Sequence, residues 1–125
     1  MKYIQTNKAP SAIGPYSQAI SINGMVYTSG QIALMENGSD ELLSQDVSIQ
    51  TKKVLQNLQS VLEEAGSSMD KVIKTTIFLA NMDDFVTVNE IYENKFNSHK
   101  PARSTVAVKT LPKNALVEID AVAVV

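Results

Sequence analysis

Cysteine and tryptophan are absent from this sequence, and histidine occurs once. Without a thiol there is no disulfide framework, no thiolate metal site and no cysteine nucleophile, a composition that suits a reducing compartment. A lone imidazole, His99, cannot form the histidine pair of a metal centre. Signature loops are missing too. No Gly-x-Gly-x-x-Gly, no Walker-type Gly-Lys-Ser/Thr and no Gly-x-Ser-x-Gly occurs, so dinucleotide, phosphate-loop and serine-hydrolase chemistries lose support. No apolar run approaches the ~20 residues needed to span a bilayer, and Met1 to Lys8 lack the apolar stretch of a secretion signal. The 11 basic and 13 acidic residues leave a net charge of −2 and form no basic run, which disfavours nucleic acid and anionic membrane as partners. The expectation is a cytoplasmic protein that needs neither a metal nor an organic cofactor.

At 125 residues, 44% of them hydrophobic and 19% charged, the chain reads as one globular domain, residues 1–125. That length buries ~65–70% of the surface an unfolded chain exposes. Asn23-Gly24 lies between two segments rich in β-formers, Ser17–Ile22 and Met25–Ile32, and predicts a hairpin with a type I′ turn. After the polar stretch Glu36 to Asp40, Val47, Val54, Leu55, Leu58, Val61, Leu62 and Ala65 recur at helical spacing, and Gly66 supplies the stop. Lys71–Leu79 reads as a strand. Asn81 to Asp84 can cap a second helix over roughly 83–97 that carries Phe85, Val88, Tyr92 and Phe96 on one side. Pro101 bars further helix, and Ala102–Lys109 and Leu116–Val124 read as strands joined through Leu111 to Asn114.

The order β-β-α-β-α-β-β predicts an α+β domain, a sheet with two helices on one face. Val117, Ile119, Ala121, Ala123 and Val125 line one side of the last strand, and Val122 and Val124 the other. Two helices cover one side only, so the bare face is expected to pack against other copies.

Few residues stand out as candidates for chemistry. His99, in the polar run Asn97 to Lys100, reads as a solvated loop residue and not as a base. Arg103 opens one strand and Glu118 interrupts the apolar last one. If those strands pair antiparallel with Lys109 opposite Leu116, both side chains point to the same face, as an edge ion pair or as a site. Asn89 lies within the apolar stripe of the second helix and needs a partner, either a loop that it caps or a ligand. Gly30 after Ser29 permits a bulge or a close approach by a ligand. Tyr16 follows the turn Gly14-Pro15, with its ring packed and its hydroxyl in water as the plainer alternative.

Together these residues fall in blocks that resemble the RidA (YjgF) family: Ile13-Gly14-Pro15-Tyr16-Ser17-Gln18-Ala19, Thr28-Ser29-Gly30-Gln31-Ile32 and Val88-Asn89-Glu90-Ile91-Tyr92. Pro101-Ala102-Arg103-Ser104, continuing through Leu111-Pro112 to Val117-Glu118-Ile119, resembles that family's C-terminal signature. The resemblance covers essentially the whole chain. It implies a chorismate-mutase-like α+β fold, a homotrimer with ligand clefts between subunits, and hydrolysis of 2-iminobutanoate and 2-iminopropanoate to 2-keto acids and ammonia. Such imines are released by pyridoxal-phosphate dehydratases.

On this reading Arg103 holds the substrate carboxylate through its planar donor fork, and Glu118 directs a water onto the imine carbon. Tyr16, Ser29, Gly30, Asn89 and Thr105 complete the pocket. Thr105 departs from the pattern, because many family deaminases carry cysteine there; imine hydrolysis needs no thiol, so the departure bears on pocket shape or rate. The alternative from another class is a regulatory module that binds a keto acid or amino acid without turnover and acts through a protein partner. Ribonuclease activity or translation inhibition, also attached to the family, fits poorly with one histidine and an acidic chain.

Overall fold

The computed structural model describes residues 1–125. Its regular elements are β1 (Lys2–Ile4), β2 (Ala19–Ile22), β3 (Met25–Thr28), α1 (Val47–Glu64), β4 (Val72–Leu79), α2 (Phe85–Phe96), β5 (Ala102–Ala107) and β6 (Val117–Val124). The expected helices and strands are all present, with one addition. Strand β1 is three residues long, too short to show an alternating pattern, and it pairs along β2.

Local chemistry sets the boundaries. Asn23 and Gly24 both take positive φ, 52° and 75°, as a type I′ turn requires, and Ile22 pairs with Met25 across it. Helix α1 begins at Asp46, whose carboxylate accepts the Ile49 N–H at 3.0 Å. It ends at Gly66, with φ of 83°. There the Ser67 N–H bonds the Leu62 carbonyl at 2.9 Å and the Gly66 N–H that of Glu63 at 3.0 Å, which satisfies the last carbonyls of the helix.

The six strands form one sheet in the order β1-β2-β3-β6-β4-β5. All neighbours run antiparallel except β4 and β5, which are parallel across the α2 crossover. This overturns one expectation. Strands β5 and β6 do not pair with each other, because β4 lies between them. The connection from β5 to β6 therefore passes over β4, and β6 enters the middle of the sheet between β3 and β4.

The core lies on the helix side. Val117, Ile119, Ala121 and Ala123 of β6, with Val26, Ile77 and Leu79, pack against Val54, Leu58, Val61 and Leu62 of α1 and Val88, Tyr92 and Phe96 of α2. The opposite face carries no helix, and its composition is more mixed than the last strand alone suggests. Exposed apolar groups flank it, Tyr3 at 70%, Tyr27 at 48% and Val106 at 42%. Lys74, Thr76, Ser104, Glu118 and Asp120 occupy its middle, with the Lys74 ammonium donating to the Ser104 hydroxyl at 3.2 Å.

Apolar spacing does not register a second seam on α1, Gln50, Lys53 and Asn57, all buried. The Gln50 amide donates to the carbonyls of Leu43 and Gln45 at 3.2 and 2.9 Å, and its oxygen accepts the Leu116 N–H at 3.0 Å. Asn57 donates to the carbonyls of Ile32 and Leu34 at 3.2 and 3.0 Å. Lys53 pairs with Glu36, and its hydrogen bond holds the Glu36 carboxyl below its ordinary range. The segments around Leu43, Ile32 and Leu116 are thus fastened to one helix, with the Asn57 Oδ1 alone in this seam left without a partner. Gln50→Ala strands three backbone groups and should lower unfolding stability by about 2–4 kcal/mol in urea melts. Gln56→Ala, at an exposed position of the same helix, should stay within about 0.5 kcal/mol of the parent. Equal effects from the two would deny the seam its structural weight.

Candidate functional site

Arg103 and Glu118 stand on opposite faces of the sheet. Thr75 of β4 lies directly across from both Arg103 and Ala121, whereas Phe78 lies across from both Val106 and Glu118. Phe78 is three positions after Thr75, an odd number, and side chains alternate faces along a strand. The one irregularity in β4, between Val72 and Lys74, falls outside that stretch. Arg103 therefore faces α2, and Glu118 faces the side without helices. The expectation that they share a face fails because it assumed that β5 and β6 pair.

Each lies in its own cavity. Glu118 lines one of about 540 Å³ with Tyr16, Ser29, Gly30, Gln31 and Lys113. Burial pushes its carboxyl above the ordinary range, and the neighbouring charge of Asp120 adds to the effect. Gly30 is required by this arrangement: a Cβ there would sit 2.5 Å from the Glu118 Oε2. The backbone beside it is well anchored. The Ser29 hydroxyl donates to the Ser17 carbonyl at 2.5 Å and the Ser29 N–H to the Gln18 carbonyl at 2.9 Å. Gln31 and Ile119 exchange both backbone bonds. The N–H of Gly30 is left without a partner in the chain, a backbone donor beside a carboxylate.

Tyr16, 54% exposed, stands at the mouth of this cavity on the loop from Pro10 to Ser17. Gln18 pins the start of that loop: its oxygen accepts the Thr6 N–H at 2.7 Å, and its amide donates to the Pro10 carbonyl at 2.7 Å. Sequence reading passed over Gln18, although an amide flanking a turn and buried at 2% is the mark of a loop tie.

Arg103 lines the second cavity, of about 350 Å³, with Asn89, Tyr92 and His99. One guanidinium nitrogen, Nη1, donates to the Asn89 Oδ1 at 2.7 Å. Asn89 thus neither caps a loop nor lies open to solvent; it holds the arginine. The guanidinium carbon is 5.0 Å from the Tyr92 ring centre and 5.6 Å from that of Phe85. Both distances lie within the range of cation–π attraction. Arg103 meets no carboxylate in the chain, so Nε and Nη2 are free for an anion. Thr105, two residues on and on the same face, buries a hydroxyl with no partner. His99 is not a solvated residue: its Nε2 lies 2.6 Å from the Val72 carbonyl, tying the loop after α2 to the start of β4. Among the site residues foreseen, Arg103 and Asn89 come together in one cavity, and Tyr16, Ser29, Gly30 and Glu118 in the other.

Known proteins resemble the chain over its whole length. The 2-iminobutanoate/2-iminopropanoate deaminase of Homo sapiens is 46% identical over 123 residues, covering 98% of this chain and 89% of that protein. The crystal structure of the YjgF gene product from E. coli superimposes with a TM-score of 0.92 at 41% identity, covering 99% of this chain and 98% of that one. That of E. coli TdcF with bound serine gives a TM-score of 0.93 at 40% identity, over 100% and 99% of the two chains. The family model described as Endoribonuclease L-PSP matches residues 6–125. Given that match and these likenesses in sequence and fold, the chain belongs to the RidA (YjgF) family.

Proposed function

We propose that this protein hydrolyses small 2-imino acids, 2-iminobutanoate and 2-iminopropanoate among them, to 2-keto acids and ammonia. The observation that carries the reading is the state of Arg103, an arginine ordered by Asn89 and lacking any carboxylate partner. The name borne by the relative from Homo sapiens supports the same chemistry. In the reaction the water oxygen bonds to the imine carbon, the C–N bond breaks, and ammonia leaves with the protons. No electrons are exchanged with a cofactor. Arg103 grips the carboxylate in two parallel charge-assisted hydrogen bonds and fixes the imine carbon. Glu118 accepts a proton from the attacking water and returns it to the leaving nitrogen. The free N–H of Gly30 offers a second polar contact and Tyr16 closes the mouth, while Thr105, two residues along β5 from Arg103 on the same face, lines neither cavity.

Groups on opposite faces of one sheet act on one small molecule if neighbouring copies supply the two halves. We therefore propose a homotrimer in which the Arg103 half of one copy meets the Glu118 half of the next, with the bare sheet face covered by the assembly. A module that binds an amino acid without turnover is the second reading. It is favoured by the serine bound in TdcF, and ligand affinity without rate enhancement would establish it here.

The coupled assay, in which a serine or threonine dehydratase generates the imine and keto acid is followed, tests each part. Arg103→Ala should lose at least roughly 10²–10³-fold in rate, and Arg103→Lys nearly as much, because an ammonium lacks the planar fork. A folded Arg103→Ala protein with near-parental rate would remove the carboxylate anchor. Co-expressed in equal amounts, Arg103→Ala and Glu118→Gln chains should form mixed trimers with roughly a quarter of the interfaces intact and recover activity that neither has alone. Absence of recovery in trimers shown to be mixed would place both residues in one copy's site. Because Glu118 must be ionised to accept a proton and its pKa is raised, the rate should fall as pH drops through a value above the ordinary 4.5. That limb should vanish in Glu118→Gln; its persistence would assign the titration elsewhere.

A further inference from the structure

Behind the second cavity, which Tyr92 lines and Thr75 does not, lies a hydrogen bond that the proposed chemistry does not use. The hydroxyls of Thr75 and Tyr92 lie 2.7 Å apart. Thr75 is fully buried and Tyr92 is 6% exposed. On β4, Thr75 is in phase with the apolar residues Ile77 and Leu79, so a polar side chain occupies a core position. It is also directly opposite Arg103 in the parallel pairing of β4 and β5. Tyr92 lies on α2 two helical turns after Phe85 and one after Asn89. All three reach the same guanidinium. The Tyr92 ring is therefore fixed from two sides, by its place on the helix and by a bond from its tip to the strand beneath Arg103.

From this geometry we infer that Thr75 and Tyr92 form a positioning pair, whose hydroxyl bond locks the ring on which the Arg103 guanidinium rests and so sets the plane that the arginine presents to a carboxylate. The inference rests on the carboxylate role given to Arg103 above. Neither residue touches the reacting atoms; both act through Arg103. The physical case is one of entropy. A free arginine side chain samples many rotamers, and ordering it on binding costs affinity. Asn89 fixes one nitrogen but leaves the plane free to rotate about that contact. A face held against a tethered ring removes the remaining freedom before the ligand arrives. Simple core packing does not call for hydroxyls here, since valine and phenylalanine would fill the same space. Burial also raises the Tyr92 pKa, so its hydroxyl stays neutral.

The decisive variant is the double replacement Thr75→Val with Tyr92→Phe, which removes both polar groups at nearly constant volume and strands neither. Its thermal stability should stay close to the parental value. Two measurements are made on the intact protein. Side-chain nitrogen NMR of Arg103 reports rotation of the guanidinium, and calorimetry reports affinity for 2-oxobutanoate, an unreactive carboxylate product. In the parent, Arg103 should show separate, slowly exchanging Nη signals. In the double variant these should merge, and 2-oxobutanoate affinity should fall roughly five- to tenfold, the effect of one lost hydrogen bond's ordering. Unchanged Nη signals in a folded double variant would overturn the inference whatever the affinity does. Arg103→Ala in the same calorimetry separates the two ideas: if it binds 2-oxobutanoate as well as the parent does, the carboxylate reading fails, while the NMR comparison still decides the positioning pair.

Discussion

Buried amides on helix α1 reach in three directions at once. Gln50 joins the turn at Leu43 and Gln45 to the N–H of Leu116 just before β6. Asn57, seven residues on and so on the same side of the helix, holds the carbonyls of Ile32 and Leu34. Both segments lead to the Glu118 cavity, which Ile32, Leu34, Pro112 and Lys113 help to line. Their own backbone bonds are few: the bridge between Gln31 and Ile119 for the segment at Ile32 and Leu34, and for the one at Leu116 a single 3-10 turn at Pro112–Asn114 and the bond from the Ala80 N–H to the Leu116 carbonyl. The buried seam adds to these, and an apolar replacement would leave the backbone groups it holds unsatisfied in the interior. The cavity is thus shaped by a helix whose side chains never enter it.

The sheet acts as a partition. Each cavity has the chemistry its own face allows. On the helix side, aromatic rings and an amide steady a cation and leave it unpaired. On the bare side, partial burial and a neighbouring aspartate make ionisation of Glu118 harder than in water. Arg103 on the one face and Glu118 on the other form no ion pair within the chain.

Much of the fold was legible in the sequence. Asn23-Gly24 fixed the first hairpin because few dipeptides accept two positive φ angles, and Gly66 ended α1 for the same reason. Asn81 and Pro101 bracket α2, but Asn81 caps a single 3-10 turn, Met82–Asp84, ahead of the helix, and Asn97, with φ of 56°, ends it before Pro101. Strand β1 escaped notice, its three residues being too few to repeat an alternation, and the pairing of β5 with β6 was wrong for a physical reason. Strands adjacent in sequence pair more often than not, and nothing local in 108–116 reveals that β4 intervenes. Site residues were legible as types through their family blocks, but their arrangement was not. The partition of Arg103 from Glu118 follows from strand order, a global property. Thr75 carried a readable signal, a polar residue in phase with an apolar strand face, which only its partner Tyr92 makes meaningful.

Strand order also governs when the structure can form during synthesis. β6 is the last of the described elements to be made, yet it lies between β3 and β4, with Val117, Ile119 and Ala121 at the heart of the core. Until it leaves the ribosome, the nascent chain holds two half-sheets with a gap between them and the apolar side of α1 uncovered. Such a chain presents open strand edges for as long as translation lasts. Folding is therefore bound to wait for translation of the Val117–Val124 strand, and a ribosome that stalls before this segment leaves a product without a core to close.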